Sequence, residues 1–328
     1  MTTWVGIDIS KDSFDVAWYG PKREKLKHLK FDNDEGGFQA FLANVPDDAA
    51  FVMEATGSYY INLALLLHEQ ERLVVVVNPL RIKKHIQADL SRNKSDKADA
   101  YAIARFGMEK QLHPWRPLTK DVAEMQQLRA LADLYARQIT QLSNQKHAFS
   151  QSKLACKEAI SIIELGIKLE QRLLEETKKE LEAVAARAFP RQLELMTTIP
   201  GIGIDTAIRL QAIVGDFSRF ESGRQLVSFL GISPTLKQSG TSVHSKGRIS
   251  RMGNPHARKT LYMCAVSAAR YNASCKDMWE RMKTKGKPTR LVFMAIANKL
   301  LRQIHALIRY DVPYDHNFAL SVVAGNTV

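Results

Sequence analysis

Val5-Gly6-Ile7-Asp8-Ile9-Ser10 is a short apolar run with one carboxylate inside it. An acidic side chain between Ile7 and Ile9 costs stability if it points into a core, so it either faces solvent or meets something cationic. A metal ion is the usual compensation. The surrounding pattern has to decide between a plain strand and the first strand of a metal-dependent site.

Around this run the residues from Trp4 to about Lys110 alternate between strand and helix signals. Trp4 to Ile9 and Ser13 to Trp18 are β-rich runs separated by Ser10-Lys11-Asp12, and Lys25 to Phe31 alternates as a third strand. Asp34 to Val45 reads as a helix capped by Asp34, Ala50 to Ala55 as a strand, and Tyr59 to Gln70 as an apolar-periodic helix. Leu73 to Asn78 is a β-branched run of the kind buried on both faces. A meander followed by strands alternating with helices implies an α/β mixed sheet with flanking helices.

Three further carboxylates fit this frame. Glu54 ends an apolar strand just before a glycine-containing turn, and Asp96 and Asp99 stand three apart at the start of a helix, on one face. Together with Asp8 they offer four hard oxygen donors, a set suited to Mg²⁺. Two such ions about 4 Å apart activate an attacking oxygen and stabilise the leaving oxygen of a phosphodiester. The plainer reading for each is a surface charge or a cap, and Asp96 can serve as the N-cap of its own helix.

Pro117 and Pro190 bracket a stretch free of proline in which Leu128, Tyr135, Leu142 and Phe149 recur every seven residues, offset by Met125, Ala132 and Ile139. Ile167, Leu174 and Leu181 repeat the interval, so this is a helical hairpin or coiled coil whose partner helix lies in the same chain or in a second copy. Beyond Pro190, Ile199-Pro200-Gly201-Ile202-Gly203 makes a tight turn into a helix from about Asp205, where backbone N–H groups at Gly201 and Gly203 can face a phosphate. The turn is similar to the helix-hairpin-helix element that grips DNA backbones; a plain inter-helix turn is the alternative. Phe217 to Leu230 reads as one helix, and residues 237–254 as an irregular loop rich in serine, glycine and basic residues. Helices over His256 to Tyr271 and Arg290 to Tyr310 carry core stripes.

The net charge is +13, and between Lys237 and Arg309 sixteen Lys/Arg face only Asp277 and Glu280, so this stretch holds the whole basic excess. That asymmetry points to a polyanion, nucleic acid before membrane. The N-terminus lacks the regions of a signal peptide and Leu73 to Val77 is too short to span a bilayer, which gives the expectation of a soluble, cytoplasmic protein. Cys156, Cys264 and Cys275 are too far apart for a disulfide framework or zinc knuckle and are expected as buried, inert residues.

The set GIDIS, MEATGSYY, NPLRIKKH, RNKSDKADA, then PGIG and SGTS, resembles the insertion-sequence "one-ten" transposases, a family that also includes the Piv DNA invertases. The resemblance implies a RuvC-like (RNase H fold) domain over residues 1–116, a coiled-coil segment over 117–190 and a mostly α transposase domain over 191–328. Its Asp-Glu-Asp-Asp tetrad falls on Asp8, Glu54, Asp96 and Asp99, which would hold two Mg²⁺ ions. Its nucleophilic serine falls on Ser239, with Ser242 as the substitute, and Lys237, Lys246, Arg248 and Arg251 would supply cationic surroundings. It also implies donor and target DNA, a guide (bridge) RNA from the element, and a homo-oligomer, dimer or tetramer, with the two domains meeting across subunits.

The function implied is Mg²⁺-dependent DNA strand exchange through a covalent phosphoserine. The alternatives are a DNA invertase, a RuvC-like junction nuclease that uses water, a sugar kinase-type ATPase, and a nucleic-acid-binding scaffold with structural carboxylates. The kinase reading needs a second glycine-rich phosphate hairpin that the sequence lacks and leaves the basic stretch unexplained.

Overall fold

The structure, a computed structural model, describes residues 2–20, 26–88, 95–235, 238–239, 243–244, 248–249 and 253–316, with side chains left out over 234–248. The chain divides into two compact units, Met1–Pro117 and Leu118–Val328.

The first unit is built on a five-stranded sheet: β1 (Trp4–Ile9), β2 (Ser13–Tyr19), β3 (Leu26–Asp32), β4 (Ala50–Glu54) and β5 (Val74–Val77), in the order β3-β2-β1-β4-β5. The meander β1-β2-β3 is antiparallel, whereas β4 and β5 run parallel to β1. Parallel strands need crossovers, which α1 (Glu35–Asn44) and α2 (Ile61–Glu69) provide. Asp34 caps α1 as expected, its carboxylate accepting the Gly37 N–H at 2.7 Å. α3 (Pro79–Ala88) and α4 (Asp96–Glu109) follow the sheet.

Alternation along the strands sorts the two faces. Val5, Ile7, Ile9, Phe14, Val16, Phe51 and Met53 pack with Phe38 and Phe41 of α1 and Leu63 and Leu67 of α2. On the other face, Val52, Val75 and Val77 pack with Ile82 of α3 and Ile103 and Phe106 of α4. Gly6 lies on this second face because α4 crosses it too closely for any side chain. A Cβ at Gly6 would stand 2.2 Å from Ala100 O and from Ala104 N, and one at Gly107 would stand 2.7 Å from the Trp4 ring.

In the second unit, α5 (Lys120–Ser150) and α6 (Lys157–Ala188) form an antiparallel hairpin, as the pairs Lys146–Glu164 and Arg187–Asp121 show. Its base, with Met125, Leu181, Val184 and Ala185, joins the core of the remaining helices. These are α7 (Pro190–Thr197), α8 (Ile204–Val214), α9 (Gly223–Phe229), α10 (Pro255–Tyr271), α11 (Ala273–Thr284) and α12 (Thr289–Tyr310). By length and apolarity α12 alone among the described helices could cross a membrane, yet Val292, Ile296, Leu300 and Ile304 are fully buried in this core. The stretch expected as a loop carries two short antiparallel ribbons, β6 (Pro234–Thr235) with β9 (Arg248–Ile249) and, inside it, β7 (Gln238–Ser239) with β8 (Val243–His244).

Three local expectations are corrected. The helix expected over Phe217 to Leu230 is split, a 3-10 turn at Phe217–Arg219 being followed by α9, because the extended Ser222 caps α9 by accepting the Gln225 N–H at 3.3 Å. α11 was not foreseen; the buried Asn272 ends α10 and starts α11, its Oδ1 accepting the Cys275 N–H at 3.2 Å. Cys264 and Cys275 are buried, but Cys156 is exposed at the start of α6.

Because backbone atoms of α4 occupy the place of a Gly6 Cβ, Gly6→Ala should force the helix off the sheet and cost about 1–3 kcal/mol. Urea unfolding checks this; an unchanged midpoint would show that the helix yields freely.

Candidate active site

The C-terminal ends of β1 and β4 are side by side. Their last paired residues are Ile7 and Met53, so Asp8 and Glu54 stand one step further along two parallel strands, on the face that α4 covers. α4 brings the other two carboxylates. Ser95, not Asp96, is its N-cap, with Oγ accepting the Ala98 N–H at 3.2 Å, which corrects the capping role considered for Asp96. Asp96 and Asp99 are therefore first-turn residues of a helix whose N-terminal dipole favours negative charge.

Electrostatics ties the four together. Burial, then the carboxylates Asp99, Asp96, Glu54 and Asp15 in that order, push the Asp8 carboxyl up from 3.8 to about 6. Glu54 accepts a hydrogen bond from the Thr56 hydroxyl at 2.8 Å. Among the described residues, however, no three acidic, histidine or cysteine side chains close around a single ion position. Asp99, Asp96 and Glu54 each repel Asp8, and hard oxygen donors of this kind are the ligand type that divalent cations take. On that chemistry they fit a divalent metal.

Asp15 was missed in the sequence. It sits directly opposite Asp8 across the β1-β2 pair and is buried, bonded to His28 Nε2 at 2.6 Å and facing Lys30 Nζ at 3.8 Å. A carboxylate of matching parity on the neighbouring strand was the available signal, readable only once the register is known.

In the second unit Gly201 has φ +103° and would place a Cβ 2.8 Å from the Ala268 backbone N of α10, so a close helix contact accounts for it. Gly203 is the N-cap of α8, and a Cβ there would meet nothing within 4 Å. Ser239 lies on β7, in register with Val243, while the side chains of Ser239 and Arg248, and Lys237, Ser242, Lys246 and Arg251 altogether, lie outside the described residues.

An antiparallel meander extended by two parallel strands, with carboxylates at the ends of β1 and β4 and on a following helix, defines a RuvC-like, RNase H-fold domain. Comparison with known proteins gives the family. A transposase family model matches residues 5–151, and that of the transposase IS116/IS110/IS902 family matches residues 193–280. The chain is 32% identical to a pilin gene-inverting protein of Moraxella lacunata, over 95% of this chain and 98% of that one. It is 25% identical to the transposase for insertion sequence element IS1328 of Yersinia enterocolitica, over 92% and 95% of the two chains. The chain belongs to the IS110 transposase family and is a DNA-recombining protein.

Ionised Asp8 opposes folding of the metal-free protein. Its folded pKa lies above the ordinary 3.8, so its contribution to stability is full below 3.8 and lost as pH rises through about 6. Asp8→Asn should therefore melt at a higher temperature than the parent at pH 8, with the gap closing toward pH 4. Mg²⁺ should raise the melting temperature of the parent only. Melting curves that show neither the gap nor the Mg²⁺ response would remove Asp8 from the centre of the site.

Proposed function

We propose that this protein is a Mg²⁺-dependent DNA recombinase in which Asp8, Glu54, Asp96 and Asp99 hold the metal and Ser239 is the nucleophile. The observation that carries this reading is the gathering of the other three carboxylates around Asp8, in a chain of a transposase family. Mg²⁺, as two ions, supplies Lewis-acid stabilisation of charge at the reacting phosphate. Ser239 Oγ forms a bond to phosphorus as one P–O bond of the DNA strand breaks, and the serine proton ends on the departing deoxyribose oxygen. Attack by a hydroxyl of another strand reverses the step and joins the new partners, so bond energy is conserved. Lys237, Lys246, Arg248 and Arg251 provide the cationic surroundings of the serine. Gly203 adds an open helix N-terminus to the grip on phosphate, whereas Gly201 acts through packing. Donor and target DNA are the substrates and a bridge RNA of the element the guide; the basic excess between Lys237 and Arg309 supports a load of this size. The setting is the bacterial cytoplasm, at the nucleoid.

DNA inversion is the second reading, favoured by the similarity to pilin gene-inverting proteins of Moraxella lacunata and Moraxella bovis. With Mg²⁺, labelled DNA carrying the recombination sites and the element's RNA, the parent should give a denaturation-resistant protein–DNA adduct and Ser239→Ala none. An adduct that survives Ser239→Ala moves the nucleophile elsewhere, and free ends without any adduct make the protein a hydrolytic nuclease. Products of an invertedly repeated substrate separate inversion from transposition.

The working form is an oligomer assembled through the hairpin, with a second copy as the partner. Ile162, Leu165 and Leu169 of α6, spaced by three and four residues, are 71%, 71% and 57% exposed, an a/d stripe that α5 leaves uncovered. Ile162→Lys with Leu165→Lys should shift the mass measured by light scattering to that of the monomer. A monomeric parent would end this part of the reading.

A further inference from the structure

A cleft of about 650 Å³ opens in the second unit between the middle of α5, the first turns of α10 and one side chain of α8. Arg137 and Gln141 of α5 stand four residues apart, and His256 and Lys259 of α10 three apart, so each pair presents one helix face to it. Arg209 of α8 completes the lining. Positions distant in sequence thus bring three permanent cations and a histidine into one concavity.

The carboxylate among them, Asp133, is already engaged. It pairs with Arg129 at 3.0 Å, Arg209 at 3.4 Å and the ring of His256 at 3.7 Å. Its backbone carbonyl also accepts from Arg137 Nε at 3.2 Å, which fixes the plane of that guanidinium while leaving its terminal nitrogens for a ligand. Among the described residues no carboxylate pairs with Arg137 or Lys259. The α10 N-terminus is closed to anions, since Asn254 Oδ1 accepts the N–H groups of His256 and Ala257 at 2.9 and 3.1 Å. Affinity here belongs to the side chains.

We propose that this cleft grips the sugar-phosphate backbone of a nucleic acid, with Arg137, Arg209 and Lys259 on successive phosphates and Gln141 as a neutral donor. A small anion would need the cations to converge on one point. Cations spread along an open groove from three helices suit a polyanion, whose binding gains from each phosphate neutralised. The groove reads no bases, because phosphate contacts position the strand without specifying its sequence. The inference rests on nucleic acid being the substrate, and is independent of the acidic cluster and of Ser239.

The test uses the full chain with Arg137→Gln and Lys259→Gln combined; both side chains are exposed, so the fold should hold, which circular dichroism checks. A control, Lys168→Gln with Lys179→Gln on α6, removes the same charge outside the cleft. Binding to duplex DNA and to a structured RNA is measured by fluorescence anisotropy over a range of salt. The cleft variant should bind about tenfold more weakly and lose about two from the slope of log affinity against log salt, with the control near the parent. Loss confined to the DNA arm or to the RNA arm supports the cleft and names the strand it holds. A cleft variant matching the control in both arms overturns the proposal while nucleic-acid binding stands. A parent that binds neither probe overturns the recombinase reading and the cleft with it.

Discussion

The close approach of α4 to the middle of β1 is the constraint on which the first unit depends. Two elements whose backbones nearly touch need the absence of a side chain on one and small side chains on the other, and Gly6 against Ala100 and Ala104 supplies both. Gly107 against the Trp4 ring repeats the device one turn further along the helix. With the height of α4 fixed, its first turn comes to the end of β1, and the parallel pairing of β1 with β4 sets Glu54 beside Asp8. Carboxylates scattered over the sequence at 8, 54, 96 and 99 thereby become neighbours without any local acidic cluster in the chain.

That arrangement stores electrostatic cost. Like charges around a partly buried Asp8 oppose folding, and Asp15 adds to them from the next strand, offset by His28 and Lys30. Only the apolar burial on both faces of the sheet can carry such a set, and β1 and β4 are accordingly apolar everywhere except near these ends. Functional sites are where folds keep groups with perturbed pKa values of this kind.

What could be read from the sequence follows from which signals are periodic. The strands and crossover helices of the first unit announced themselves through alternation and through Asp34 as a cap, and the α5–α6 hairpin through its heptads. Asp15 escaped because a lone acid in Phe14-Asp15-Val16 means nothing until the β1-β2 register places it opposite Asp8. α11 escaped because Asn272, which looks like a helix end, serves both as the end of α10 and as the cap of the next helix. Ser222 breaks the helix between Phe217 and Leu230 in the same way, through a side chain that competes for backbone N–H groups. Ser239 had no periodicity around it at all. Its assignment came from resemblance, and a two-residue strand is the only structural placement it has.

Charge sets the four carboxylates of the first unit apart from the basic stretch of the second. A phosphodiester that approaches four carboxylates is repelled, so affinity for DNA cannot originate at Asp8, Glu54, Asp96 and Asp99. It has to come from cations, and the chain concentrates those between Lys237 and Arg309, with Arg137 and Arg209 joining them at the α5–α10 cleft. Within that basic field Asp133 works against the overall sign. By pairing with Arg129 and Arg209, and with the ring of His256, it relieves the repulsion between the two guanidiniums and fixes their positions. The same physics thus appears twice with opposite sign. In the first unit His28 and Lys30 offset Asp15 beside Asp8, and in the second a single carboxylate steadies a cationic cluster.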